Sequence, residues 1–148
     1  MISPEILRRY PYFAAIGDES LRDVAMIADE VTVPAGHRMF SEDDPANHLY
    51  IIATGEVNIQ YLLGNGQYRT VDTLVDGDLL VWSALIEPYK TTAFGTTTKE
   101  TRLVKISAAR LRELCERDPR LGYRLTTQVA KLLSHRLEGA RIQLAAIG

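Results

Sequence analysis

From Val31 to Ile106 the chain is built to reverse direction repeatedly. Pro34-Ala35-Gly36, Thr54-Gly55, Gly64-Asn65-Gly66 and Asp76-Gly77-Asp78 are turn signals, rich in residues that tolerate positive φ. The runs between them are too short for ordinary helices. Val31-Thr32-Val33 is one, and His48 to Ala53 is a mostly apolar second. Val57, Ile59 and Tyr61 then alternate with Glu56, Asn58 and Gln60, the period of a half-buried strand. Gln67 to Leu74 returns after the Gly64-Asn65-Gly66 hairpin. Lys90 to Thr98 is rich in threonine, and Thr101 to Ile106 sets Val104 and Ile106 on one face. Short strands at this spacing predict an antiparallel roll or barrel.

Both flanks change to a helical period. Ser3-Pro4-Glu5 supplies a hydroxyl cap, a proline at the first helical position and an acid near the positive end. Asp18 is the expected cap of a second short helix, with Leu21, Val24, Ala25 and Ala28 on one face. After the strands, Ser107 is placed to cap a third helix, with Ile106 and Leu111 spaced as a hydrophobic staple. Asp118-Pro119 ends that helix and opens a last, long one. Along it Leu125, Val129, Leu132, Leu133, Leu137, Ala140 and Leu144 recur at three- and four-residue steps, interrupted by Arg136. The expected organisation is one domain over 1–148: N-terminal helices in 1–30, a β-roll in 31–106 and C-terminal helices in 107–148.

Composition narrows the function classes. A chain of 148 residues with formal charge -2 names no partner by bulk electrostatics. Cys115 is the single cysteine, so no internal disulfide and no four-cysteine cluster is possible. Met1 to Tyr12 lacks the apolar run of a signal peptide, and no stretch reaches the ~20 apolar residues that span a bilayer. A cytoplasmic location without membrane contact is the expectation. His37, His48 and His135 show no metal-ligand spacing, and no nucleophilic triad or P-loop is readable. Neither an enzyme nor a metal or cofactor site is expected.

The run Leu49-Tyr50-Ile51-Ile52-Ala53-Thr54-Gly55-Glu56-Val57, preceded by Val33-Pro34-Ala35-Gly36 and followed by Gly77-Asp78, resembles the cyclic-nucleotide-binding domain. That family includes the sensor half of catabolite-activator-type regulators and the regulatory modules of cyclic-nucleotide-dependent kinases and channels. The resemblance covers nearly the whole chain. It implies a mainly β fold: an eight-stranded antiparallel, jelly-roll-like β-roll, short N-terminal helices, a long C-terminal helix and a short helix inside the roll. It also implies a phosphate-binding cassette just after Gly77-Asp78. There a Gly-Glu pair opens a short helix, the glutamate accepts from the ribose hydroxyl, and an arginine a few residues on pairs with the cyclic phosphate.

The expected letters are missing. Val81-Trp82 stand where Gly-Glu is implied, followed by Ser83, and the arginine position falls on Lys90 with Thr91 next; a slip of one residue is open, because Pro88-Tyr89 intervene. A β-branched residue resists the backbone that glycine permits near a phosphate. Trp82 removes a charged acceptor and adds bulk, and lysine lacks the planar guanidinium fork. Losing two charge-assisted hydrogen bonds costs roughly 3–6 kcal/mol, about two to four decades of affinity. Val81, Trp82, Ser83, Lys90 and Thr91 are therefore candidate residues of a degenerate site. In it Lys90 contacts a small anionic ligand and Trp82 is a flat wall. Trp82 as pocket-filling core and Lys90 as a surface lysine are the simpler readings; the functional one rests on where the two residues align.

Two functions follow as alternatives. One is a stand-alone sensor or regulatory module that does not bind cyclic AMP in the usual way. The other is a ligand-free interaction module working through its last helix. The apolar stripe from Leu125 to Leu144 predicts a homodimer, as the resemblance also implies. Basic residues from Arg120 onward, against the single acid Glu138, read as a solvated helix face or a docking surface for an acidic partner. With no segment after the long helix to supply a recognition helix, this chain alone is not expected to read DNA.

Overall fold

The computed structural model describes residues 1–147. Two short helices, α1 (Pro4–Arg8) and α2 (Asp18–Met26), lead into eight strands. These are β1 (Ala28–Val33), β2 (Arg38–Phe40), β3 (His48–Thr54), β4 (Val57–Leu62), β5 (Tyr68–Leu74), β6 (Leu79–Leu80), β7 (Phe94–Thr97) and β8 (Thr101–Ser107). Helices α3 (Ala108–Arg117) and α4 (Pro119–Ile147) close the chain. The strands form two four-stranded antiparallel sheets, β1-β8-β3-β6 and β2-β7-β4-β5. This is the antiparallel roll that the turn spacing predicts, with the eight strands and flanking helices that the resemblance implies.

The caps explain the element boundaries. Ser3 accepts from the Glu5 amide at 3.3 Å, and Ser107 accepts from the Arg110 amide at 3.4 Å. Asp118 accepts from the Leu121 amide at 3.3 Å and from the Ser20 hydroxyl, so one carboxylate starts α4 and ties it to α2. Both contacts hold its carboxyl below the usual carboxylate range, the Ser20 hydrogen bond most strongly. One expected cap is displaced: Gly17 is the N-cap of α2 and Asp18 is its first residue. There Asp18 still faces the positive helix end, and it accepts from Arg8 at 2.5 Å. Ala28, expected on α2, pairs with Ile106 as the first residue of β1 instead.

The core fills the space between the sheets and under the helices. Leu49, Ile51, Ile52, Leu79, Leu80, Leu103 and Ile106 come from the roll, and Leu7, Phe13, Leu21 and Leu111 seal it from outside. Val57 and Ile59 turn inward as their alternation predicts, but Tyr61 is exposed, because β4 runs past the core towards its hairpin. At Gly55 (φ +136°) an added Cβ would lie 2.7 Å from the Thr101 backbone, so both the turn and the strand approach require glycine. Where α3 meets α4, an added Cβ on Gly122 would lie 3.2 Å from the Cys115 carbonyl oxygen. Burial raises the Cys115 thiol pKa, with Asp118 and Glu116 adding to the effect.

Helix α4 divides along its length. Leu121, Leu125 and Val129 are buried, and Leu132 and Leu133 are partly covered. Beyond them Leu137 is 52% exposed and Leu144 70%, and Ala140 is also exposed. Among the described residues no helix is long and apolar enough to cross a membrane.

Candidate ligand site at the cassette

The turn after Asp76-Gly77-Asp78 delivers β6 into a single 3-10 turn, Trp82–Leu85. Val81 is its N-cap and lies in the left-handed region, φ 65° and ψ 55°. The frame thus keeps a backbone that suits glycine while carrying valine, at a strain of ~1–2 kcal/mol. Burial of the valine side chain offsets part of it. From α3, Arg112 donates to the Ala84 carbonyl at 2.6 Å and lies 4.1 Å over the Tyr89 ring, holding the far end of the cassette.

Four of the five candidate residues come together. Val81, Trp82, Ser83 and Thr91 line a small inner cavity of about 50 Å³. Lys90 does not line it; its side chain is exposed and its backbone bridges Pro45. Thr91 is the residue of this pair that faces inward. Its hydroxyl donates to the Ser41 carbonyl at 2.5 Å and accepts from the Asp44 amide at 3.0 Å. That hydroxyl therefore fastens the loop between β2 and β3.

A residue that breaks the apolar stripe completes the site. Arg136 of α4 is half-buried, lines the inner cavity and donates to the Leu79 carbonyl at 2.9 Å. Burial lowers its pKa, and Asp72, Asp78 and Tyr12 act in the opposite sense. It stays charged, as an arginine does throughout the physiological range. The sequence signal for it was available: Arg136 is seven residues after Val129 and three after Leu133, an inward position of the helix. Outside the inner cavity a groove of about 770 Å³ opens between α4 and the β4–β5 sheet. Trp82, Ile59 and Arg136 line both spaces, so the indole stands at the passage from one to the other.

A two-sheet roll with a short helical turn let into one end, followed by a long helix, is a β-roll of the jelly-roll-like class. Residues 30–118 match the family model described as cyclic nucleotide-binding domain, and the chain belongs to that family. A candidate cyclic nucleotide-binding protein from Geobacter metallireducens is 39% identical, with a TM-score of 0.84 over 93% of this chain and 99% of that one. The N-terminal domain of a transcriptional regulator from Streptomyces coelicolor is 28% identical, with a TM-score of 0.71 over 90% and 94% of the two chains. A CRP-like cAMP-activated global transcriptional regulator of Mycobacterium tuberculosis is 26% identical over 95% of this chain. The match spans 61% of that regulator's length.

Proposed function

We propose that the chain is a non-catalytic regulatory module that does not hold cyclic AMP in the usual way of its family. The observation that carries the reading is the inner cavity. Trp82 stands at the implied glutamate position; the pocket of about 250 Å³ that Val81 and Thr91 also line has Asp44 and, among the described residues, no lysine or arginine on its wall, and the space beside Trp82 is about 50 Å³. That admits a water-sized guest, whereas organic ligands occupy sites of roughly 300–1,000 Å³. Thr91, the inward residue nearest the implied arginine, is neutral and already committed to Ser41 and Asp44. A ligand of this module uses the outer groove and is of another kind. Similarity to the Mycobacterium tuberculosis regulator supports the regulatory role, and a cytoplasmic setting fits it.

Calorimetric titration with cyclic AMP and cyclic GMP tests the reading. Neither is expected to bind well; a dissociation constant at or below ~10 μM for either overturns it.

The distal half of α4 favours a second element of the proposal. Its exposed Leu137, Ile142 and Leu144 suit contact with a second copy of the chain. A homodimer accommodates both a sensor and a ligand-free interaction module. A thermal-shift screen over small acids and nucleotides separates the two, since a ligand of the native state raises Tm.

A further inference from the structure

The Arg136 guanidinium is short of partners. Among the described residues it makes one hydrogen bond to protein, to the Leu79 carbonyl. The ion pairs among those residues are Met1–Asp29 and Arg8–Asp18, so no carboxylate lies within 4.0 Å of Arg136. Yet a guanidinium carries five N–H donors in a fixed fork. The carboxylates that act on it, Asp72 and Asp78, do so at longer range, so the fork of a cation drawn partly out of water is left open to a further acceptor. The space in front of Arg136 is the 770 Å³ groove, within the size range of organic-ligand sites. Its neighbouring walls are apolar or aromatic: Ile59, Tyr61, Trp82, Leu133 and Leu137. Among the described residues no buried side-chain nitrogen or oxygen is left without a partner, so the free donors of Arg136 and the indole N–H of Trp82 face the solvent of the groove. Asp72 borders the same groove and acts on Arg136 at longer range.

We infer that this groove takes a planar organic monoacid, its oxyanion head paired with Arg136 and its apolar body laid against Trp82, Leu133 and Leu137. The inference rests on the reading that the cassette does not hold a cyclic nucleotide in the usual way. An arginine fork matches a carboxylate in two parallel hydrogen bonds, and a flat apolar body suits aromatic walls. Asp72 disfavours a second negative charge. The site's cation is thereby carried by the helix instead of the roll, so the ligand joins α4 to the β4–β5 sheet.

The test uses the full chain with naphthoate and its neutral counterpart naphthamide, titrated by calorimetry. Naphthoate is expected to bind about ten-fold more tightly, the difference between a charge-assisted and a neutral hydrogen bond. Arg136→Gln removes that preference, and Arg136→Lys keeps part of it; the wild-type probe pair stands even if a variant folds poorly. Equal binding of the two probes overturns the inference, as does silence of both up to ~1 mM. So does a preference lost in Lys90→Gln and kept in Arg136→Gln. Tight cyclic AMP binding, by contrast, overturns the functional reading whatever naphthoate does.

Discussion

The two halves of α4 carry the same kind of sequence and meet different surroundings. Leu121, Leu125 and Val129 are buried, in the half of the helix that packs on α3, whereas Leu137, Ile142 and Leu144 lie in the open. Both halves repeat leucine at helical spacing, so periodicity reports that a face is apolar and says nothing about what covers it. The covering is decided elsewhere: Gly122 lets the helix press on Cys115, and further along a groove separates the helix from the β4–β5 sheet. Arg136 sits at the change-over, tied to Leu79.

The largest test of this contrast compares one leucine from each half. Leu125→Ala is expected to cost about 3 kcal/mol in urea unfolding, as a fully buried leucine does. Leu144→Ala, measured on dilute protein, is expected to change stability by under ~0.5 kcal/mol. Equal losses would mean that the distal half is packed in solution.

The next test asks what covers that half. If a second copy does, light scattering at micromolar concentration shows twice the 16.5 kDa chain. Replacing Leu137 and Leu144 together by glutamate then returns the mass to one chain. A wild-type species of 16.5 kDa alone removes the dimer from the proposal.

A smaller effect is expected under the change-over, at Val81. Alanine there keeps the left-handed strain and loses buried surface; glycine loses more surface but relieves the strain. Val81→Gly is therefore expected to be less destabilising than Val81→Ala by about 1 kcal/mol in chemical denaturation. The reverse order would mean that the solution backbone at Val81 is not left-handed.

The mildest test is chemical. Cys115 lies in the closed seam with its thiol pKa raised by burial, so it is expected to react slowly with a disulfide reagent at pH 7 and faster as pH rises. A cysteine introduced by Leu144→Cys in a Cys115→Ala background should react at the rate of a free thiol at low protein concentration. It should be protected where a partner helix covers it. Fast labelling of Cys115 in the folded protein would mean that the proximal seam opens.

Much of the fold was legible because its signals are local. The positive φ of Gly55 and Gly77 and the capping bonds of Ser3, Ser107 and Asp118 to amides two or three residues on are written in the local sequence. The site was less legible, for two physical reasons. A side chain in extended backbone changes face at every residue, so a slip of one position exchanges Lys90 for Thr91; the bridge between Pro45 and Lys90 sets which of the two turns inward. Arg136 read as a defect in an apolar stripe because a stripe is judged by what belongs in a core. Its partner, the Leu79 carbonyl, is 57 residues away and leaves no mark in the helix sequence.

Trp82 also makes the protein its own instrument. It is the single tryptophan of the chain, and it stands at the passage between the inner cavity and the groove. Excitation selective for indole therefore reports from that one place, with no dye and no engineered label. Guest molecules entering the groove, α4 lifting from the sheet or water flooding the cassette would each change the polarity around the same ring. An apolar guest would shift its emission to the blue, and helix lifting or water entry would shift it to the red, so filling and opening of the site can be told apart in real time in the unmodified chain.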